Sequence, residues 1–185
     1  MKSTLLAISL AAVGLNAQAG GFTLESADFK PQAALKNEQV FNGFGCTGGN
    51  VSPALAWKNP PKGSKSFALL VHDPDAPTGG SGWWHWVVVN LPADATQLPA
   101  GAGKADGSAL PAGAAQINTD FGAPGWGGPC PPVGDKPHRY NFTLHALKVE
   151  KLDLPPGATA ALAGYMINAN SLGKASLTGR YGRSK

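Results

Sequence analysis

Three segments carry the strongest alternation and clustering of apolar positions. Phe67-Ala68-Leu69-Leu70-Val71 is a continuous apolar run with the length and composition of a buried strand. Asp73-Pro74-Asp75-Ala76-Pro77 ends it, because proline has no ladder donor and fixes φ. After the turn Thr78-Gly79-Gly80-Ser81-Gly82, Trp83 to Leu91 forms a second strand rich in aromatic and β-branched residues. His138 to Val149 is the third. Its period of two places His138, Tyr140, Phe142, Leu144 and Ala146 on one face, and Arg139, Asn141, Thr143, His145 and Leu147 on the other.

Weaker patterns fill in the rest. Short strands are predicted over Phe22 to Phe29, Ala115 to Thr119 and Ala175 to Tyr181. Pro155-Pro156-Gly157 opens one convincing helix over about Ala158 to Leu172, with Leu162, Tyr165, Met166 and Ala169 as its core-facing stripe. Residues 92–114, rich in Ala, Gly and Pro, read as a surface connection. Phe41 to Pro53 and Phe121 to Pro137 are irregular loops of the length that often carries function. The pattern is that of a mainly β protein with one α-helix near the C-terminus, in a single domain spanning 20–185, without repeat or linker.

Composition sharpens the picture at the start of the chain. Lys2, the apolar stretch Leu5 to Leu15 and Ala17-Gln18-Ala19 together read as a signal peptide over 1–19, cut after Ala19. The stretch is too short to be a membrane-spanning helix, so no integral membrane segment is expected and the mature protein is periplasmic or secreted. With 25 Gly, 16 Pro and 43% apolar residues, the chain is loop-rich rather than disordered. The net charge of +4 comes from scattered Lys and Arg. No basic stripe points to nucleic acid, and Arg180, Arg183 and Lys185 read as a solvated, frayed end. The two cysteines, Cys46 and Cys130, favour a disulfide over two buried thiols in an exported chain.

Candidate chemistry gathers at strand ends. Asp73 and Asp75 follow one strand, His85 begins the next, and His138 and Tyr140 begin the third, so all can meet at one rim. Trp83, Trp84 and Trp86 supply candidate aromatic walls, and the Gly127-Gly128 backbone a candidate anion nest. Asp73 or Asp75 accepting from His85 would keep that imidazole oriented and partly cationic toward a ligand, with its pKa raised. Asp73, Asp75, His85 and His138 also make an O/N metal-ligand set, but no metal-site spacing supports it, and no metal or other cofactor is expected. No G-x-S-x-G elbow, P-loop or dinucleotide fingerprint is present, and no catalytic residue is expected. His72 and His145 read as structural, with His72 a candidate to orient the Asp loop.

Cys46-Thr47-Gly48-Gly49-Asn50-Val51-Ser52-Pro53, Asp73-Pro74-Asp75-Ala76-Pro77, Trp84-His85-Trp86-Val87-Val88-Val89-Asn90, and Pro131-Pro132 followed by His138-Arg139-Tyr140 together resemble the phosphatidylethanolamine-binding protein family, in its bacterial Raf-kinase-inhibitor-like branch. The resemblance spans nearly all of the mature chain. It implies a two-sheet β fold with a late helix and a small anion pocket for phosphate-type or phospholipid head groups. The matching positions are Asp73, Asp75, His85, Pro132, His138 and Tyr140. Eukaryotic relatives close the pocket with a C-terminal helix. Here the chain ends at Lys185, so the resemblance implies a more open pocket and gives kinase inhibition little support. The expected function is a non-enzymatic binding protein for a small anionic or phosphorylated ligand. The alternatives are an inhibitor or interaction module using the pocket rim, with a protein partner or a homodimer, and, least supported, a metal-assisted hydrolase.

Overall fold

The computed structural model describes residues 21–185; the expected signal peptide and its cut after Ala19 lie outside them. In chain order the elements are β1 (Thr23–Glu25), β2 (Asn42–Gly43), β3 (Cys46–Thr47), β4 (Leu55–Lys58), β5 (Ser66–Asp73), β6 (Trp83–Pro92), β7 (Gln97–Leu98), β8 (Ala115–Gln116), β9 (His138–Leu147), α1 (Ala160–Asn170) and β10 (Ser171–Tyr181). They build a five-stranded sheet, β10-β9-β5-β6-β8, a three-stranded sheet, β1-β4-β7, and the two-stranded ribbon β2-β3. Every neighbouring pair of strands is antiparallel.

β5 lies at the centre of the larger sheet. On one face Phe67, Leu69 and Val71, joined by Phe142 and Leu144 of β9, pack against Leu24, Leu55, Trp57 and Leu98 of the smaller sheet. On the other, Ala68, Leu70, Val87, Val89 and Leu147 lie under Ala160, Ala163 and Ile167 of α1. With a layer on each face and a strand on each edge, β5 has almost no solvated position, which explains its unbroken apolar run. Each such Leu or Phe contributes roughly 1.5–3 kcal/mol of transfer free energy.

β6 carries two irregularities. The pairing with β5 runs Val71↔Trp86 and then His72↔Trp84, which leaves His85 as an extra residue. It shifts again between Phe67↔Leu91 and Leu69↔Val88. There Asn90 takes φ +59° and closes on Leu152, its Oδ1 accepting from the Leu152 N–H at 2.8 Å. Asparagine tolerates that left-handed conformation better than most residues.

The helix turns a different face to the sheet from the one expected. Thr159 caps it, its hydroxyl accepting from the Leu162 N–H. The buried residues are Ala160, Ala163, Gly164 and Ile167, whereas Tyr165 is 71% exposed, Leu162 and Ala169 are exposed and Met166 is half-buried. Small residues win this face because the helix lies close to the sheet: a Cβ on Gly164 would stand 3.9 Å from the Trp84 ring. Two further expectations are corrected. The connection 92–114 is not wholly superficial, since it supplies β7 and buries Leu98 and Ala102. The C-terminus is not frayed. The last strand starts at Ser171, directly after α1, Arg180 Nε donates to Gln32 Oε1, and Arg183 bridges to Val133.

Asp75 fastens the β5–β6 loop to β9. Its Oδ2 accepts from the Arg139 N–H (2.8 Å) and Nε (2.9 Å), and its Oδ1 from Nη2 (2.6 Å). The side-chain hydrogen bonds from Arg139 hold the Asp75 pKa down at about 2, against 3.8 ordinarily.

Two outcomes follow from this packing. Ile167→Ala should cost about 2–5 kcal/mol in urea unfolding, whereas Tyr165→Ala should stay within about 0.5 kcal/mol of the wild type. Equal losses would show that Tyr165 faces the core. For Asp75, a pKa depressed on folding contributes stability that is fully present above pH 3.8 and is lost as pH falls through about 2. Solvent screening keeps that contribution small, because the pair is partly exposed. Asp75→Asn should therefore be modestly less stable near neutrality, and the deficit should close in the acid range. A deficit that persists unchanged at the acid limit would mean that charge is not its origin.

Candidate functional site

Because β5 runs antiparallel to both β6 and β9, its end lies beside their beginnings. Asp73 closes β5, while His85 stands early in β6 and His138 and Tyr140 early in β9. These four side chains line one cleft of about 290 Å³. Phe44, Trp83, Phe121, the Ala76-Pro77-Thr78 loop, Cys130, Pro131 and Pro132 complete its walls. The floor is polar and the mouth apolar.

The four floor residues are buried. Asp73 Oδ2 accepts from His138 Nδ1 at 2.8 Å, and Oδ1 accepts from the Asp75 N–H at 2.8 Å. His138 Nε2 faces Asp135 Oδ2 at 3.4 Å. His85 is held by Gly127 on two sides: its Nδ1 meets the Gly127 carbonyl oxygen at 2.5 Å, and its own carbonyl accepts from the Gly127 N–H at 2.9 Å. Burial pushes the His85 pKa down to about 4, outweighing the Gly127 carbonyl and Asp73, which act in the opposite sense. Burial also holds the Tyr140 phenol far above its ordinary pKa. Two buried side-chain polar atoms among the described residues lack a hydrogen-bond partner. One is Trp57 Nε1 in the core, and the other is the Tyr140 hydroxyl.

Of the residues expected from sequence, Asp73, His85, Pro132, His138 and Tyr140 thus come together. Asp75 does not line the cleft, because Arg139 draws its carboxylate away. Neither aspartate accepts from His85, and the expected raised pKa of that ring is reversed by its burial. The Gly127-Gly128 nest is unavailable, since the two N–H groups already donate to the His85 carbonyl and to Asn50 Oδ1. Only Trp83 of the three tryptophans is a wall. Trp84 packs beside His72 toward the helix layer, and Trp86 enters the core and donates to Gln116 Oε1. His72 stays within its turn, facing the Ser81 carbonyl, and His145 is a buried strand residue beside the Ser171 hydroxyl. Among the described residues, no three His, Cys, Asp or Glu are grouped to hold a metal ion.

The two irregular loops form the rim. A Cys46–Cys130 disulfide joins them, as expected from the cysteine count. Arg183 reinforces the joint, donating to the Pro131 carbonyl through Nη1 and to the Gly45 carbonyl through Nη2. Phe44 stands at the mouth, 69% exposed, with φ +52°. It packs beside Phe41 and Phe121 at centroid distances of 5.2 and 5.9 Å. Phe44 and Phe121 are the aromatic wall residues that sequence reasoning missed, beside the smaller Ala76, Pro77, Thr78 and Pro131. The signal of the two aromatics was their position inside glycine-rich loops, where a large aromatic has no strand to serve.

Comparison with known proteins agrees with this fold. The profile described as phosphatidylethanolamine-binding protein matches residues 25–182. The chain is 51% identical over 181 residues to protein YbcL of Escherichia coli (strain K12), covering 98% of each chain. It is 49% identical over 158 residues to YbhB of the same organism, covering 85% of this chain and 98% of the relative. The crystal structure of E. coli YbcL, described as a new member of the mammalian PEBP family, superposes with a TM-score of 0.85 at 53% identity, covering 88% of this chain and 99% of the other. The chain belongs to the phosphatidylethanolamine-binding protein family.

Proposed function

We propose that this protein is a non-enzymatic binding protein whose cleft takes a small anionic head group of the phosphate or phospholipid type. The observation that carries the reading is the Tyr140 hydroxyl, fully buried in the cleft wall and without a partner. Leaving a buried donor unpaired costs about 1–3 kcal/mol, and a small shift of the ring toward the cleft would let an acceptor oxygen of a ligand supply the missing bond. The Asp73 carboxylate, which would repel an anion, already accepts from His138 and from the Asp75 N–H. Apolar walls at Phe44, Phe121, Trp83 and Pro132 suit a head group that carries an apolar substituent.

The Cys46–Cys130 disulfide supports work outside the cytoplasm, in keeping with cleavage after Ala19 and a single mature domain over 20–185. No helix among the described residues is long and apolar enough to cross a membrane. A second reading, an inhibitor or interaction module, draws on the rim, where Phe44 and Val133 are exposed and could meet a protein partner.

Tyr140→Phe separates binding from folding. It removes an unsatisfied hydroxyl, so stability should hold or rise, while calorimetric affinity for phosphate should fall about tenfold to a hundredfold. Undiminished phosphate binding by folded Tyr140→Phe would sink the site assignment.

A further inference from the structure

Resting on the anion-pocket reading above, a second feature of the cleft floor specifies the form of the ligand. We infer that the cleft binds its oxyacid in a proton-bearing form, a P–OH or COOH, whose hydrogen is donated to Nε2 of His85 while the Tyr140 hydroxyl donates to an oxygen of the same group.

The argument begins with Gly127. Its carbonyl oxygen can only accept, so the contact with His85 Nδ1 requires the hydrogen to sit on that nitrogen. In a neutral ring Nε2 then carries a bare lone pair. Nε2 has no protein partner among the described residues, and the ring lines the cleft. The bulge at His85 brings the ring beside Tyr140, edge to face at a centroid distance of 5.0 Å. The floor therefore offers an acceptor on His85 and, on the adjoining Tyr140 ring, a hydroxyl donor, where a fully ionised oxyanion has acceptors only.

The ring's surroundings keep it neutral. The charged or titratable groups around it are His72 and Asp73 on β5, Asp120 beyond β8, and His138 and Tyr140 on β9. Asp73 and Asp120 favour an imidazolium and His72 opposes it, but burial dominates and sets the pKa at about 4. At neutral pH an approaching P–O⁻ would meet a lone pair, and this repulsion is relieved when the ligand keeps a proton. A ligand that is fully ionised in solution would take up one proton as it binds. His85 is thus a specificity-determining residue that reads protonation state, in the role a carboxylate plays at other sites that demand a proton-bearing ligand. No covalent step is involved.

Methyl phosphate and methyl sulfate test this with wild-type protein. At about pH 5 both are monoanions of nearly the same shape, and only methyl phosphate retains a hydrogen, because its second ionisation lies near pH 6. Methyl phosphate should bind at least about tenfold more tightly there. Above its second ionisation its affinity should fall about tenfold per pH unit, with uptake of about one proton per molecule bound, read calorimetrically in buffers of different ionisation enthalpy. Methyl sulfate should show neither effect. If the two bind equally well at about pH 5, the inference is overturned and the anion-pocket reading stands. If neither binds, both are overturned.

Discussion

β5 is enclosed on all sides, by β6 and β9 at its edges and by a sheet and a helix at its faces, and the position of the cleft follows from that constraint. A strand so placed is rigid and cannot slip register without moving its apolar set into the wrong layer. Antiparallel pairing on both edges then fixes where Asp73 ends relative to the first residues of β6 and β9. The floor of the cleft is consequently built on strands, and strands hold side chains more tightly than loops do. The rim is left to the loops.

The rim loops have little secondary structure of their own beyond β2-β3. Their order comes from cross-links of three kinds: the disulfide between Cys46 and Cys130, the Arg183 guanidinium donating to both loops, and Asn50, whose Oδ1 accepts from Gly128 and whose Nδ2 donates to the Trp126 carbonyl. Close backbone contact adds to them. A Cβ at Gly128 would stand 2.1 Å from the Gln39 carbonyl oxygen, so that position admits only glycine without displacement of the neighbouring chain. These restraints let the protein display Phe44 at the mouth in a left-handed conformation that a free loop would not keep.

Much of this was legible in the sequence because it depends on local rules. The apolar run of β5 read correctly as a buried strand, and the alternation of β9 put His138 and Tyr140 on the face that became cleft and core. What failed depended on facts that a period cannot encode. Strict alternation puts Trp84 and Trp86 on one face, but the extra residue at His85 sends them to opposite layers and aims the histidine inward. The helix stripe misled because hydrophobicity favours large residues, whereas a close helix–sheet approach selects Ala163 and Gly164. Asp75 looked equivalent to Asp73 across one proline. Only the position of Arg139, on the outward face of β9, separates a loop tie from a cleft wall.

The same contrasts separate what is built for stability from what is held against it. Asp75 and Arg139 form a three-bond ion pair near solvent, with every contact made inside the protein. The cleft floor is the opposite. It keeps a phenol hydroxyl without a partner, an imidazole whose burial lowers its pKa, and a carboxylate–histidine pair cut off from water. The phenol hydroxyl has no nearby residue to relieve it, while the imidazole and the carboxylate–histidine pair keep their partners at a cost in desolvation. Replacing such groups with apolar ones of the same shape would often be neutral or stabilising. On the binding role proposed above, these groups, in a wall supported by a rigid strand and a disulfide-linked rim, serve a polar guest, and the surrounding core contributes the stability that this arrangement gives up.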